Sequence, residues 1–588
     1  MFGAGAMTNS ITEIRDSELM FVIGSNTSEA HPIIAMEMKR ARQRGAKLIV
    51  ADPRKIYMAE HADIHLQLRP GTDVWLLQAM AHVIINENLI DREFIDTHTS
   101  GFDAVMQCVQ KYTPEEAEQV TGVPADDIRT AARLYATTRH AGIYYTLGIT
   151  EHTHGTENVY CLANLVLMTG HLGVHAAGMN PLRGQNNVQG ANDAGATPIY
   201  YPGYQKVSDG DVRKKFEAAW GVDLPPREGF NLNVMMKELA KGNIKGLFVM
   251  GEDIVISEPN VSQVELGLNQ CEFLVCQEIF HNETTRFADV IFPGACFAEK
   301  DGVFTNSDRR VQRVRKAVEP PGNAKADWQI LCEFARAAGY PMPEYSGPAE
   351  IYDEMAALTP KVAGISHQRL DRRTTGLQWP CPNDQHDGTP TMHVDGPAIG
   401  RAPFQVVEYR PSDELPDSEF PLVLSTGRTL YHYNSATQTR RDAGPALKNR
   451  ANFVEMHRAD ARRLGCEHGE KVRVVSRRGV VEAEVWISPR VRRGCIWMPM
   501  HFADSRANLL TNDAGDNITG TGEYKVCAIR VEKITDSIAK TALEAGVENG
   551  SATTRDQSKS SRETTSGDQA IVYGQDLVQI THPISPRT

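Results

Sequence analysis

The chain has 588 residues and no Cys-x-x-Cys pair. Its ten cysteines are scattered, and the closest two, Cys271 and Cys276, flank an apolar Phe-Leu-Val run. Neither an iron–sulfur cluster nor a zinc site is signalled within it. Reduced, mostly buried thiols in a cytoplasmic protein are expected instead. No run of about 18 apolar residues exists, so no membrane span is expected. The start, Met1-Phe-Gly-Ala-Gly-Ala-Met7, lacks the basic region and long apolar core of a secretory signal. Positive charge is in deficit: 62 Lys and Arg against 74 Asp and Glu leave −12, which argues against a nucleic-acid partner. The full dinucleotide glycine fingerprint is also missing; Gly3-x-Gly5 precedes the first predicted strand and carries little weight.

What is present is an α/β pattern that occurs twice. Ser10-x-x-Glu13 predicts a capping box opening a short helix. Leu19 to Ile23 is an apolar strand, followed by a polar loop from Gly24 to Pro32, a helix, and a strand from Lys47 to Val50 ending in Asp52-Pro-Arg54. This is a βαβ unit with a parallel sheet. Its first loop offers amides and hydroxyls at a helix N-terminus, where phosphates bind. Asp52 stands where an acid can read a ribose or purine edge. The pattern returns in Leu247-Phe-Val-Met-Gly-Glu-Asp253 and Phe273-Leu-Val-Cys-Gln-Glu278. Both copies run strand, acid, short helix, Ala-Asp, strand. Two nucleotide sites related by pseudosymmetry are one reading, and a chance likeness of α/β proteins is the other. Between the copies, 112–136 reads as helical, Ile143 to Gly148 as a strand, and Asn158 to Thr169 as a helix capped at Gly170. From Phe420 the texture becomes β-rich, with strands turning at Arg478-Gly479. Residues 546–568 are polar and charged and read as disordered.

Four segments result: an α/β domain over 1–195, a second α/β region over 196–410, a β-rich domain over 411–533 and a tail over 534–588.

Arg183 lies between the α/β copies, in Asn180-Pro-Leu-Arg-Gly-Gln-Asn-Asn-Val-Gln-Gly190. The string is a poor helix and a poor strand. It reads as a loop of amide donors around one guanidinium, suited to a small oxyanion or carboxylate. A solvated Arg on an Asn-rich turn is the bland alternative. Gln185 is the second candidate contact. His31 reads as a cofactor contact or a surface residue. His152, His154, His171 and His175 lack a carboxylate or Cys at a ligand spacing.

The whole string resembles the active-site loop of Mo- or W-dependent formate dehydrogenases, in the molybdopterin oxidoreductase family. The resemblance covers roughly residues 1–533 and extends to Val22-Ile-Gly-Ser-Asn-Thr27, Leu68-Arg-Pro-Gly-Thr-Asp73, Arg309-Arg310-Val-Gln312 and Thr426-Gly-Arg428. It implies two related Rossmann-like domains and a C-terminal β-barrel. It implies two molybdopterin guanine dinucleotides holding one Mo or W. One nucleotide is assigned by resemblance to Gly24, Asn26, Asp52, Arg54, Gly71 and Asp73, and the other to Gly251, Asp253 and Glu278. The barrel contributes Thr426, Arg428, His432, Asn508, Tyr524 and Lys525, and Gly148 and Gly184 complete the cofactor set. Arg183 then holds formate. Nitrate reductases of the same superfamily carry a different string at 180–190, and some members serve only as scaffolds.

Family members also carry an N-terminal iron–sulfur domain and a metal-ligating cysteine or selenocysteine. The expectation is that this chain aligns just downstream of that ligand. An upstream segment or separate subunit would then supply the iron–sulfur cluster, with further electron-transfer subunits as partners and no turnover by this chain alone. Asp516 to Tyr524 and Gly251 to Val255 lack the usual prolines.

Overall fold

The first strand forms because five consecutive apolar residues are covered on both faces. In β1 (Leu19–Ile23) every residue is buried, as a central strand of a parallel sheet requires. The computed structural model describes residues 1–3 and 5–534. After β1 the chain makes one short helical turn and enters α1 (Pro32–Gln43), with Pro at its first position, where a missing N–H costs nothing. It returns as β2 (Lys47–Ala51) and β3 (Ile64–Leu66). β4 (Ala141–Tyr145), α2 (Gly155–Met168) and β5 (Met179–Pro181) complete the layer. The strand order is β3-β2-β1-β4-β5, and the pairings of β1 with β2 and β4 are parallel. Leu19, Phe21 and Ile23 pack on one face, against α2 and its neighbours, and Met20 and Val22 on the other, against α1.

The span 112–136 is two helices rather than one. Pro114–Thr121 and Ala125–Thr137 are separated at Gly122, whose φ is +69°. That left-handed conformation ends a helix and favours glycine. Ser10 opens a 3-10 helix, Ile11–Asp16, and its N–H donates to the Glu13 carboxylate. Gly148 falls inside a helical turn after β4 rather than at a strand end.

The second α/β region repeats the first in outline. β6 (Gly246–Met250), β7 (Phe273–Glu278) and β8 (Val290–Pro293) form a parallel sheet in the order β8-β7-β6. This is the same direction of winding as β3-β2-β1. The C-terminal region is a closed six-stranded barrel of β9 (Leu422–Gly427), β10 (Phe453–Met456), β11 (Lys471–Val475), β12 (Val480–Ile487), β13 (Cys495–Pro499) and β14 (Cys527–Lys533). Burial alternates along β9 and β12, the period of two that fills a barrel interior. The tail predicted to be disordered lies outside the described residues.

Candidate active site

In the first sheet, successive strands run outward in opposite directions from the gap between β1 and β4. Ligands of open α/β sheets bind at such a switch point, beyond the carboxyl ends of the strands. A cavity of about 410 Å³ sits there. Gly24 and Asn26 after β1, Asp52 and Arg54 after β2, and Asp73 and Gly148 line one side. Gly184 and Gln185 line it from the Arg183 loop. Thr426, Arg428, His432 and Lys525 close it from the barrel. The loops after β1 and β4 touch: the Gly148 N–H donates to the Gly24 carbonyl at 3.0 Å. A Cβ on Gly148 would stand 2.5 Å from that oxygen, so only glycine fits.

Charge in the wall is concentrated and mostly paired. Arg54 donates to Glu455 at 2.6 Å and lies 3.8 Å above the Trp497 ring. Lys525 pairs with Glu151 at 2.5 Å and donates to the Thr426 carbonyl. His152 is buried between acceptors: Nδ1 is 2.9 Å from Glu523 and Nε2 is 3.2 Å from the Gly148 carbonyl. A carbonyl and a carboxylate both accept, so an imidazolium, with hydrogen on both ring nitrogens, satisfies both contacts. Burial opposes that charge, but Glu523 and Asp73 outweigh it and raise the His152 pKa. Neighbouring His154 stacks on it at 5.3 Å and is pushed down to about 3 by burial first and by the His152 charge second. Asp52 and Asp73 are each pushed up to about 6, chiefly by burial. Asp52 is partly open only because it faces the cavity.

Among the described residues, several polar atoms in or beside this wall lack partners. Both amide atoms of Asn26, the Ser28 hydroxyl and His31 Nδ1 are buried without a hydrogen bond. Each such orphan costs about 1–3 kcal/mol, and together they mark where a ligand's polar groups belong. Two buried carboxylates, whose values near 6 leave them mostly ionised at pH 7, accept as a guanine N–H edge requires, and the orphaned donors of the loop after β1 suit phosphate oxygens. The residues present therefore fit a dinucleotide form of molybdopterin.

The Arg183 loop is anchored at several points. β5 ends at Pro181, and α3 (Val188–Asp193) begins inside the string that reads as a loop. The irregular part is thus 182–187 only. The Ser307 hydroxyl bonds both the N–H and the carbonyl of Arg183, at 3.0 and 3.2 Å. His31 Nε2 donates to the same carbonyl at 3.0 Å, so His31 is a buried contact rather than a surface residue. The Asn186 N–H donates to the Tyr433 hydroxyl at 2.7 Å. The Arg183 guanidinium donates to Gln189 Oε1 and to the Gly5 carbonyl.

Other predicted residues stand apart from this cavity. Gly71 packs against Ser412 and Val526. Asp253 accepts from the Thr284 N–H and hydroxyl, and Glu278 from Asn282. Gly251 has open space around its Cα and a φ of +63°. Asn508 donates to the carbonyls of Ile256 and Ser257, joining the barrel to the second α/β region. Tyr524 is half-buried, with its hydroxyl pKa raised by desolvation and by nearby Glu258 and Glu151. Of the four histidines, His152 and His154 stay stacked, whereas His171 bonds Thr169 and His175 faces Glu13 and Asp16. Sequence reasoning missed Glu455, Trp497, Glu523, Ser307 and Tyr433. Each acts across more than 120 residues of chain, and none sits in a pattern that names its partner.

The chain belongs to the molybdopterin oxidoreductase family. The family model "Molybdopterin oxidoreductase" matches residues 2–337, and "Molydopterin dinucleotide binding domain" matches 422–528. Among relatives, the chain is 45% identical to the F420-dependent formate dehydrogenase subunit alpha of Methanocaldococcus jannaschii, over 91% of this chain and 79% of that protein. It is 42% identical to formate dehydrogenase H of Escherichia coli, over 91% and 76%. Acetylene hydratase from Pelobacter acetylenicus has the same fold, with a TM-score of 0.70 at 20% identity, covering 89% of this chain and 81% of that one.

Proposed function

We propose that this chain is the catalytic subunit of a formate dehydrogenase, carrying out HCOO⁻ → CO₂ + H⁺ + 2 e⁻ at a Mo or W bis(molybdopterin guanine dinucleotide) centre. The observation that carries the reading is Arg183. Its loop is anchored beside the cavity, and both polar partners of the guanidinium are neutral amide oxygens. A cation held in place without a paired carboxylate is prepared for one from solution. Charge-assisted hydrogen bonds to formate contribute roughly 1.5–3 kcal/mol. The bound metal–pterin group supplies the two-electron acceptor.

The chain's own residues do the rest. Arg183 aims the C–H bond and Gln185 lines the approach. The wall formed by Asn26, Asp52, Asp73 and Lys525 holds one dinucleotide. Asp253 and Glu278, at the matching strand ends of the second sheet, hold the other. Electrons then pass to an iron–sulfur group and to further electron-transfer subunits, in keeping with relatives that are named as one subunit of several. We place the enzyme in the cytoplasm, where its ten free cysteines stay reduced.

The test is a viologen-dye assay of the complete metal-loaded enzyme, with its iron–sulfur segment, using formate and, separately, nitrate. Formate should reduce the dye, and nitrate should not reoxidise it. Nitrate turnover without formate turnover would refute the reading.

A further inference from the structure

Among the described residues, Arg183 is held through one edge. Its Nε–H donates to Gln189 Oε1 at 3.2 Å, and Nη2 donates to the Gly5 carbonyl at 2.9 Å. These two donors lie on the same side of the planar guanidinium. Five N–H groups are available in all, so three remain, on Nη1 and the far side of Nη2. Two of those run parallel along the Nη1–Nη2 edge, the fork geometry that fits a carboxylate.

The acceptor at Gln189 depends on what lies behind it. Gln189 Nε2 donates to Asp193 Oδ1 and to the Tyr204 hydroxyl, each at 2.8 Å. Tyr204 donates to the same Asp193 oxygen at 3.0 Å, and Trp379 Nε1 donates to the other at 2.7 Å. Asp193 and Gln189 are both buried. A carboxylate only accepts, so Gln189 must turn its NH₂ towards Asp193, and its carbonyl oxygen must then face Arg183. The Asp193 charge thereby fixes an amide orientation one residue away from the guanidinium.

We propose that Asp193, acting through Gln189, is the positioning residue that holds Arg183 side-on and reserves its Nη1–Nη2 edge for the substrate carboxylate. This rests on the formate reading above. Asp193→Asn puts an amide where the carboxylate was, so Gln189 is free to flip and set N–H against N–H at Arg183. The charge on Arg183 is unchanged, so substrate still binds; its aim is lost.

The experiment compares the parent, Asp193→Asn, and the swap Gln189→Glu with Asp193→Asn, all metal-loaded and each in the complete enzyme with its iron–sulfur segment. In the swap, the new carboxylate accepts from both Arg183 and the new Asn amide. Per bound metal, D193N should lower kcat about ten- to a hundredfold, the scale of an ångström-sized misplacement. KM should stay within about threefold, as expected for an interaction that acts in the transition state. The swap should recover most of kcat while raising KM, because the introduced carboxylate restores the side-on aim but also pairs with the Arg183 charge. Unchanged kcat in D193N, or no recovery in the swap, overturns the proposal. If D193N does not accumulate, Gln189→Leu replaces it, since Asp193 then keeps Tyr204 and Trp379, and the same fall in kcat is required.

Trypsin cleavage after Arg183 gives a readout without turnover. The bond to exposed Gly184 should be nicked faster in D193N and at the parent rate in the swap. If the parent does not oxidise formate but cleavage follows this order, the positioning role stands and the substrate reading falls. If cleavage is the same in all three, the positioning role falls.

Discussion

Replacing His152 by Phe should loosen the barrel from the first α/β layer, and the size of the effect follows from its surroundings. The imidazolium is 2% exposed and Glu523 is fully buried. Their 2.9 Å contact bridges residues 371 positions apart. Asp73 lies 3.9 Å from the other ring nitrogen. Phe removes the cation and leaves Glu523 with only the Thr153 N–H, at 3.4 Å. Breaking a buried pair in this one-sided way costs about 3–5 kcal/mol. With a urea slope near 3 kcal/mol/M, the midpoint falls by about 1–2 M. Removing both partners, His152→Phe with Glu523→Leu, leaves no orphaned charge and should restore most of the loss. Trp497 fluorescence follows the barrel side of the contact. The pH dependence gives a second check. The folded pKa of His152 is raised, so its stabilisation is fully present below the unfolded value of about 6.5 and is lost as pH rises through the folded value. The parent should therefore weaken on the alkaline side, and His152→Phe should lack that component. Equal midpoints for parent and single variant, or the same alkaline profile, would refute the imidazolium assignment.

Three further outcomes are expected. Arg183→Lys keeps the charge but loses the planar fork, so metal content should be normal while kcat/KM for formate falls about a hundredfold; a parent-like rate would remove Arg183 as the substrate anchor. Gly148→Ala drives a methyl group into the Gly24 carbonyl, and a thermal melt should show a loss of about 1–3 kcal/mol together with reduced pterin content. Asp52→Asn and Asp73→Asn should act oppositely on stability and loading. Both carboxyls are raised to about 6 in the fold, so their ionisation destabilises the cofactor-free protein as pH rises through that value. Each Asn variant should melt higher than the parent at pH 7 while retaining less dinucleotide, and a lower melting point would contradict the burial argument.

The elements legible from sequence were those whose signal is local. β1 and β6 are unbroken apolar runs, β2 and β7 are apolar runs bounded by Lys47 and by Gln277-Glu278, and β11 and β12 alternate about a turn. Arg183 was legible because its loop lacks any apolar period while crowding amides around one cation. Closure of the barrel was legible only through the family resemblance, because β9 pairs with both β13 and β14 across long stretches of chain. The wall of the cavity suffered the same limitation. Glu523 sits in a Gly- and Thr-rich turn that advertises nothing, and Trp379 lies 186 residues from the Asp193 it bonds. The imidazolium at His152 requires two acceptors on separate parts of the chain, and no spacing rule encodes them. The start of α3 within the Arg183 string was missed because six residues are too few for a helical period to show.

The cavity draws one wall from residues 24–73 and another from residues 425–525. Synthesis runs in one direction, so the first wall emerges from the ribosome some 350 residues before the second. A nascent chain can form its parallel sheet, yet it has no enclosure until Lys525 is made and the barrel has closed. A pterin dinucleotide therefore has no complete binding site until the last barrel strands have been made. Insertion of that group then calls for a barrel that can still part from the sheet. The contacts from Asp516, Glu523 and Lys525 to residues 151–156 are those that such an insertion step has to make last.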